Sequence, residues 1–376
     1  MRATVAGSHM KAVAVHPSSR QVGLVDIDEP VLQSPTGVRV RILEVGVCGT
    51  DKEICRFEYG TPPAGSDYLV LGHEMLGIVE DAGADVTRVR QGDLVNVMVR
   101  RPCHDGSCLP CQRGRQDFCT TGQYTERGIM QYHGFMTGYV VDDEQYLCPI
   151  PAELRDIAVL TEPLTIAEKG LQQVSAVQDR LPWSDPSGHR AVVLGAGPVG
   201  LLGAMALKVR GFDTYVYSRE AHDDARAQLV ESMGATYVSS AEKNADQLAA
   251  QVGNIDVVYE ATGVSSVSFE VLRVLGVNGI CIFTGIPGLH GPTPTDIDGL
   301  MRAMVLKNQL VLGTVNANRP AFESAIADLG RFRAQFPEAI GSLISKRWQM
   351  AEHGDLLMGR AGGVKNVISM DGAWAR

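Results

Sequence analysis

The sequence predicts an α/β protein with two domains, one rich in β-strand and one built on a doubly wound parallel sheet. Three observations predict this fold class. The chain has 376 residues, which exceeds a single ordinary domain of about 100–200 residues. Short β-branched runs fill residues 10–150, whereas strand-like and helix-like runs alternate from residue 189 onward. A glycine-rich turn follows the first strand of the alternating part.

The overall composition excludes several classes of protein. With 45% hydrophobic and 20% charged residues, the chain is neither disordered nor a coiled coil. The net charge is −9 without a basic block, so we expect no nucleic-acid partner and no anionic-membrane partner. The longest uncharged stretch, residues 274–295, contains five glycines and three prolines, too many for a membrane-spanning helix.

Residues 1–9 are expected to be a tag remnant, because residues 7–10 (GSHM) are typical of a cloning scar. The natural chain is then expected to begin at Met10. The segment lacks the long apolar core of a secretion signal, so a cytoplasmic location is predicted. In that compartment the eight cysteines are expected to be reduced thiols or metal ligands.

Strands in the first part are predicted from short β-branched runs bounded by turn residues, at residues 11–15, 38–45, 77–80, 93–99 and 138–141. A helical pattern follows over residues 151–177, with Leu160, Leu164 and Ala167 on one face. Residues 180–188 (RLPWSDPSG) are rich in turn formers and are predicted to link the two parts.

The second part alternates strands with helices. The predicted strands are residues 191–194, 214–217, 236–239, 256–259, 279–283 and 310–315, and the predicted helices are residues 199–209, 225–233 and 266–275. Six strands with intervening helices indicate a doubly wound parallel sheet. The residues after 316 return to a mixed pattern and are expected to pack back onto the first domain.

A dinucleotide-binding turn is predicted at residues 191–200 (AVVLGAGPVG), where an apolar strand enters G-x-G-x-x-G and then a helix. The first glycine permits the tight turn, the second admits the pyrophosphate, and the third lets the helix pack on the strand. The helix N-terminus then directs its amides at the phosphates. The predicted cofactor contacts here are Gly195, Ala196, Gly197, Pro198, Val199 and Gly200. The alternative is a plain tight turn between strand and helix.

The end of the second strand, about 20 residues further on, usually carries an acid that binds the ribose 2′-hydroxyl. This chain has Ser218, Arg219 and Glu220 there. Ser218 is uncharged and Arg219 can pair with a 2′-phosphate, which favours NADP. Glu220 could instead turn inward and permit NAD, and Arg219 could be a solvated surface charge.

Two sets of residues suggest zinc. Four cysteines fall within 17 residues, and thiolates at this density suit a closed tetrahedral site: Cys103, Cys108, Cys111 and Cys119. The second set is dispersed, because Cys48, His73 and Glu162 lie 25 and 89 residues apart. Together they could bind zinc and leave one position open for a substrate. Each also has a plain alternative, as a small core residue, a buried hydrogen-bonded histidine and a helix N-terminal charge.

Taken together, these motifs resemble the zinc-dependent medium-chain alcohol dehydrogenases. The matching pieces, in order, are residues 48–51 (CGTD), 72–74 (GHE), 92–95 (GDLV), the four-cysteine loop and the glycine-rich turn. Further details look more like the glucose (aldose) 1-dehydrogenase branch: residues 100–101 (RR), Gly128 with 133–136 (HGFM), 161–164 (TEPL), 260–263 (EATG) and 313–316 (GTVN). One departure is that four residues follow Cys103 where the common pattern has two.

The resemblance implies a fold and an assembly. Residues 10–188 and 317–376 would form a GroES-like β-rich catalytic domain with both metal sites. Residues 189–316 would form a Rossmann domain that interrupts it, with the cofactor in the cleft between the two. We also expect a homo-oligomer, either a dimer or a tetramer.

The resemblance also implies roles for individual residues. Cys48, His73 and Glu162 would bind the catalytic zinc, and Glu74 would be a ligand or would contact one. Thr50 would relay the substrate proton. The remaining expected contacts are Glu126 and Asn316 to sugar hydroxyls, beside Thr50 and Glu162, and Thr284, Gly285, Ile286, Thr314, Val315 and Asn316 to the cofactor.

The expected function is the NAD(P)-dependent oxidation of an aldose such as D-glucose at C1 to the lactone, by zinc-assisted hydride transfer. It would use one catalytic and one structural zinc per chain, with NADP and also NAD as candidate cofactors. One alternative is a polyol or secondary-alcohol dehydrogenase with the same metal chemistry. Another, from a different class, is a non-catalytic nucleotide-binding relative, although such proteins usually lack the zinc ligands that this chain has.

Overall fold

The computed structural model describes residues 9–182, 187–288, 291–292 and 294–370, which form two compact units. The first unit contains the described residues of Met1–Glu162, Asn316–Ile326 and Ile344–Arg376. The second contains those of Pro163–Val315 and Ala327–Leu343. Apart from His9, the predicted tag remnant lies outside the described residues, as do residues 183–186 of the predicted linker.

The strands of the described residues are β1 (His9–His16), β2 (Gln21–Asp28), β3 (Gly37–Gly46), β4 (Leu69–Val70), β5 (Glu74–Ala82), β6 (Leu94–Val97), β7 (Arg100–Arg101), β8 (Thr125–Arg127), β9 (Gln131–Tyr132), β10 (Tyr139–Asp143), β11 (Leu147–Ile150), β12 (Arg190–Leu194), β13 (Asp213–Ser218), β14 (Thr236–Ser239), β15 (Val257–Glu260), β16 (Ile280–Phe283), β17 (Leu310–Gly313), β18 (Ile344–Gln349) and β19 (Lys365–Ser369).

The helices are α1 (Gly49–Cys55), α2 (Leu109–Gln112), α3 (Thr161–Gln178), α4 (Pro198–Val209), α5 (Ala225–Ser232), α6 (Ala245–Val252), α7 (Ser265–Arg273), α8 (Ile297–Leu306), α9 (Arg319–Gln335), α10 (Pro337–Ser342) and α11 (His353–Leu357). Short 3₁₀ turns connect several of them. Within the described part of the chain, no helix combines the length and the apolar character needed to cross a membrane.

The first unit is built on a seven-stranded sheet in the order β11-β6-β5-β3-β19-β18, with β10 also paired to β3. β3 is its longest strand and pairs with β5 on one side and β19 on the other. Its Val38, Val40 and Ile42 are buried in the apolar core of this unit. The C-terminal end of β3 is therefore paired with β5 on one side and with β19 on the other.

The second unit contains six parallel strands in the order β14-β13-β12-β15-β16-β17. This is the order of a doubly wound sheet, which binds ligands outside the carboxyl ends of the strands where the order reverses. Residues such as Val192, Val193 and Val258 have no exposed surface, as expected for strands covered on both faces. The predicted fold class is confirmed, and each of the six strands lies within two residues of its predicted limits.

By its contacts, the second unit includes two segments outside residues 189–316. Most of α3 belongs to the second unit, because Gly170 packs near Ile282 and the Gln178 side chain binds the carbonyl of Asn278. Ala327–Leu343 also belongs there, and Asp328 forms an ion pair with Arg210 at 2.6 Å. Helical packing of this kind joins residues that are distant in sequence.

Candidate active site

A thiol, an imidazole and a carboxylate meet beyond the end of β3. One ligand atom of each of Cys48, His73 and Glu74 lies within 4.8 Å of the other two. The sheet explains this proximity, because Gly46 pairs with Glu74 across β3 and β5 and Cys48 lies two residues further on. The turn before His73 requires glycine: Gly72 has φ of +90°, and a Cβ there would lie 2.7 Å from Met136 Cγ. These donors, at this spacing, suit a zinc ion.

Asp51 contacts two members of this group, although the sequence analysis assigned it no role. Its Oδ2 accepts a hydrogen bond from the Cys48 amide at 2.8 Å, and its Oδ1 lies 3.4 Å from His73 Nδ1. Burial opposes protonation of the imidazole, but the Asp51 carboxylate outweighs it and raises the pKa of His73. A carboxylate beside Nδ1 orients the imidazole and leaves Nε2 as the ring nitrogen that can bind a metal.

Glu74 has a buried cationic partner that the sequence analysis missed. Lys365 Nζ forms an ion pair with Glu74 Oε2 and donates to the carbonyl of Val47 at 3.1 Å. Burial would lower the pKa of Lys365, but the Glu74 carboxylate reverses this and raises it. A Cβ on Gly46 would collide with Glu74 Oε2, so the glycine makes room for this pair. No motif marks Lys365, which enters the site because β19 pairs with β3.

The other predicted active-site residues differ in how closely they join this group. Thr50 lies beside it, with its Oγ1 3.8 Å from Cys48 Sγ. Glu162, at the start of α3, is outside the set of mutually close ligand atoms. Burial raises the pKa of Glu162 to about 7, against the lowering effect of His73 and with a further increase from Glu74. Glu162 therefore belongs to the electrostatic surroundings of the group.

The four cysteines of the loop converge as predicted for a tetrahedral site. The sulfurs of Cys103, Cys108, Cys111 and Cys119 all lie within 4.8 Å of one another. Two of them, on Cys108 and Cys119, are 3.9 Å apart. Zn–S bonds of about 2.3 Å give tetrahedral S–S edges of about 3.8 Å, so the spacing fits. The segment between Cys103 and Cys108, which is longer than in the common pattern, forms a turn. In this turn the Asp105 side chain accepts from the Ser107 amide, and the Asp105 carbonyl accepts from the Cys108 amide.

In the second unit, the predicted glycine-rich turn connects β12 to α4. Gly195 has φ of +100°, and a Cβ on Gly200 would collide with the carbonyl oxygen of Gly195. A Cβ built on Gly197 would have no atom of the described residues within 4 Å, its chain neighbours aside. A pyrophosphate can therefore approach the backbone closely at this glycine. α4 begins at Pro198, so its first free amides face this space as an anion site.

The end of β13 carries the residues expected to choose between NAD and NADP. The Ser218 hydroxyl accepts from the Ala196 amide at 3.2 Å and lies 2.5 Å from Glu220 Oε2. The other Glu220 oxygen binds Arg226 at 3.0 Å. Arg219 is 90% exposed, and its Nε is 4.0 Å from Glu220. The Glu220 carboxylate is thus already engaged, whereas the Arg219 guanidinium extends into solvent.

Glu260, at the end of β15, joins two loops near the predicted cofactor contacts. Its Oε1 accepts from the amides of Thr262 and Gly263 at 2.7 and 2.8 Å, and its Oε2 from the Gly285 amide at 3.1 Å. The loop of Thr284, Gly285 and Ile286 is therefore fastened to the loop that follows β15. Glu260 lies in the sequence motif at residues 260–263, which predicted no function for it.

The remaining predicted cofactor contacts follow β17. The Gln173 amide donates to Thr314 Oγ1 at 3.0 Å, and Lys169 Nζ donates to the carbonyl of Val315 at 2.8 Å. Thr314 and Val315 directly follow β17, so they lie at the carboxyl edge of the parallel sheet, like the glycine-rich turn. Asn316, with φ of +58°, belongs to the first unit.

Comparison with known proteins identifies the family of this chain. The alcohol dehydrogenase GroES-like domain matches residues 34–152, and the glucose dehydrogenase C-terminus matches residues 155–370. Glucose 1-dehydrogenase of Methanocella arvoryzae is 37% identical over 362 residues, which are 96% of this chain and 99% of the relative. That of Thermoproteus tenax is 41% identical over 324 residues, 85% and 88% of the two chains.

The chain belongs to the zinc-dependent medium-chain alcohol dehydrogenases, in the glucose dehydrogenase branch. It is an oxidoreductase of that family. Among solved structures, Haloferax mediterranei glucose dehydrogenase, in complex with NADP, Zn and gluconolactone, matches with a TM-score of 0.86 and 32% identity. The match covers 96% of this chain and 99% of that one.

In this medium-chain alcohol dehydrogenase, the two residues expected to bind sugar hydroxyls lie together in the first unit. Glu126, on β8, is buried, and its Oε1 accepts from Asn316 Nδ2 at 2.8 Å. The same oxygen accepts from Arg100, which β7 places directly opposite. No local sequence signal predicts this contact between Arg100 and Glu126.

We expect Glu260→Gln to lower the free energy of unfolding by about 1–3 kcal/mol, the cost of an unsatisfied buried polar group. The amide keeps one acceptor oxygen, so its NH2 group must face backbone amides that are themselves donors. Thermal and urea unfolding of the protein measure the loss. Glu270→Gln, at an exposed position on α7, is the matched control and should unfold like the unchanged protein. Equal stability of the two variants would contradict the role of Glu260.

Proposed function

We propose that this protein is an NADP-dependent glucose 1-dehydrogenase, which oxidises D-glucose at C1 to the lactone. The observation that carries the proposal is the group of Cys48, His73 and Glu74, with Thr50 beside its thiol, in a chain that also has a complete dinucleotide-binding turn. Support comes from the Haloferax mediterranei relative, which is solved with NADP, Zn and gluconolactone.

The donor set fits a catalytic zinc. Cys48 and His73 would supply a thiolate and a neutral imidazole, and Glu162 a carboxylate, with Glu74 as a further ligand or as the partner of one. When bound, zinc lowers the pKa of a coordinated alcohol, and the nicotinamide accepts the hydride. The four cysteines of the loop would hold a second, structural zinc.

The residues of the chain then divide the remaining work. Asp51 keeps the His73 ring oriented through its Nδ1 side. Lys365 holds the Glu74 carboxylate in place. The Thr50 hydroxyl takes the proton of the substrate hydroxyl and passes it toward solvent, as general acid–base transfer requires a group within hydrogen-bond reach. Glu126 and Asn316 bind sugar hydroxyls, which must compete with water for these contacts.

The second unit would bind the cofactor. The glycine-rich turn would bind the pyrophosphate, Ser218 and Arg219 the 2′-phosphate, and the residues after β16 and β17 the nicotinamide end. We propose residues 189–316 as the cofactor-binding domain, and a homo-oligomer as the working assembly.

Initial-rate kinetics with a substrate panel test the proposal. We expect reduced-cofactor absorbance to rise with glucose and NADP, and the product to be the lactone by NMR. The panel contains glucose, galactose, xylose and sorbitol, each with NADP and with NAD. Oxidation of sorbitol without oxidation of any aldose would replace the proposal with a polyol dehydrogenase. Bound zinc and cofactor without any turnover would indicate a non-catalytic relative.

We expect Cys48→Ser to lose one zinc per chain and its turnover, because a neutral hydroxyl is a far poorer zinc ligand than a thiolate. Zinc content by mass spectrometry and NADPH fluorescence measure the metal and cofactor binding separately, and cofactor should still bind. Cys55→Ser is the control. Cys55 is buried at the end of α1, the helix that begins directly after Cys48, but it lies outside the group of Cys48, His73 and Glu74. Full activity of metal-depleted Cys48→Ser protein would rule out the zinc-assisted reaction.

We expect Arg219→Ala to weaken NADP by about tenfold to a hundredfold, since a charge-assisted contact contributes about 1.5–3 kcal/mol and about 1.4 kcal/mol is tenfold. NAD has no 2′-phosphate, so its kcat/KM should change much less. Arg273→Ala, which removes a half-exposed arginine bound to Asp246 in the same unit, controls for net charge. Equal changes for NAD and NADP would show that Arg219 does not select the cofactor.

A further inference from the structure

Arg100 and Glu126 form a buried ion pair in the first unit. They lie opposite each other in the antiparallel pair of β7 and β8. Both Nε and Nη2 of the guanidinium are 2.9 Å from Glu126 Oε1, and the side chains are only 4% and 6% exposed. The guanidinium also stacks over the ring of Tyr124, with its carbon 3.7 Å from the centroid. Charge-assisted contacts with a stacked, desolvated arginine are strong and directional.

All the contacts to the Glu126 carboxylate fall on one of its oxygens. Oε1 accepts from Arg100 Nε at 2.9 Å and from Asn316 Nδ2 at 2.8 Å, and Arg100 Nη2 also lies 2.9 Å from this oxygen. Oε2 has no hydrogen-bond partner among the residues that the structure describes. The carboxylate is therefore held in one orientation by two hydrogen-bond donors and the guanidinium charge, and one oxygen remains as an acceptor for a hydroxyl group.

The opposite side of Arg100 is held by the end of the four-cysteine loop. Arg100 Nη1 donates to the carbonyl of Asp117 at 3.5 Å, and the Gln116 amide donates to the carbonyl of Arg100 at 3.4 Å. Gln116 and Asp117 are buried and belong to the 3₁₀ turn immediately before Cys119. The position of Arg100 thus depends on the fold of this loop.

We propose that Arg100 is a positioning residue for sugar binding: it holds Glu126 by Oε1 so that Oε2 accepts a sugar hydroxyl, and it links that acceptor to the four-cysteine loop. This inference rests on the proposed function, in which Glu126 binds the sugar. Among the described residues, no hydrogen bond or ion pair joins Arg100 to Cys48, His73 or Glu74. Its loss therefore affects the affinity for sugar rather than the chemical step.

The first experiment measures the zinc-loaded enzyme with glucose and NADP. Arg100→Met is expected to raise KM for glucose by about tenfold to a hundredfold, the equivalent of one charge-assisted contact. It leaves kcat and KM for NADP within about twofold, since a change confined to KM marks lost ground-state binding. Arg100→Lys restores part of the affinity. Arg115→Met, which removes an arginine that binds the Asp117 side chain in the same loop, leaves KM for glucose unchanged.

The second experiment is a double-mutant cycle, because a purely structural role for Arg100 would also lower activity. If Arg100 acts through Glu126, then adding Arg100→Met to Glu126→Ala protein raises KM for glucose by less than about twofold further. Melting temperatures of all four proteins are measured alongside. If Arg100→Met protein does not fold, Arg100→Lys takes its place in the cycle with the same expectation.

The outcomes separate this inference from the proposed function. If Glu126→Ala raises KM for glucose while both Arg100 variants leave it unchanged, or if the two effects multiply, the inference is overturned and the function stands. Equal losses of glucose and NADP affinity in the Arg100 variants also overturn it. If the unchanged enzyme does not oxidise glucose, or if Glu126→Ala leaves its KM unaltered, the proposed substrate site itself is wrong.

Discussion

The pairing of β3 with β5 and β19 is the constraint on which the candidate active site depends. The register sets Gly46 opposite Glu74 on one side and opposite Val367 on the other. Cys48 follows β3, Glu74 begins β5 and Lys365 begins β19, so all three reach the same end of the sheet. A slip of one residue in either pair would turn alternate side chains to the opposite face and separate these groups. Burial of both neighbours of β3 specifies the register strongly.

Buried charges in the first unit are arranged as linked pairs, which explains how so many are accommodated away from water. Asp51 accepts a hydrogen bond from the Cys48 amide and lies beside the His73 ring. Lys365 forms an ion pair with Glu74, and Arg100 forms one with Glu126. Isolated charges in such surroundings would cost several kcal/mol each, so each needs a partner. The partners also determine orientation. The network therefore prepares the positions of functional groups before any ligand arrives.

What could be predicted from the sequence depended on how local the signal was. The glycine-rich turn, the six parallel strands and the four cysteines each lie within a short window, and the structure places them as expected. Asp51 was within reach, because an acid three residues after a helix N-cap is a capping pattern. Lys365 could not be predicted in this way, because only strand pairing across the whole first unit brings it to Glu74. The same holds for the approach of Arg100 to Glu126, which depends on two very short strands.

The two sets of metal donors are built in different ways, and the difference has consequences. The donors at Cys48, His73 and Glu74 are carried by a sheet with its own apolar core, so their spacing does not require a metal to create it. The cysteine loop has little core beyond its own sulfurs. Metal binding by such a loop contributes directly to its folding energy. Gln116 and Asp117 of that loop bind Arg100, and Arg100 binds Glu126, so the fold of the cysteine loop contributes to the position of the carboxylate that we propose for sugar binding.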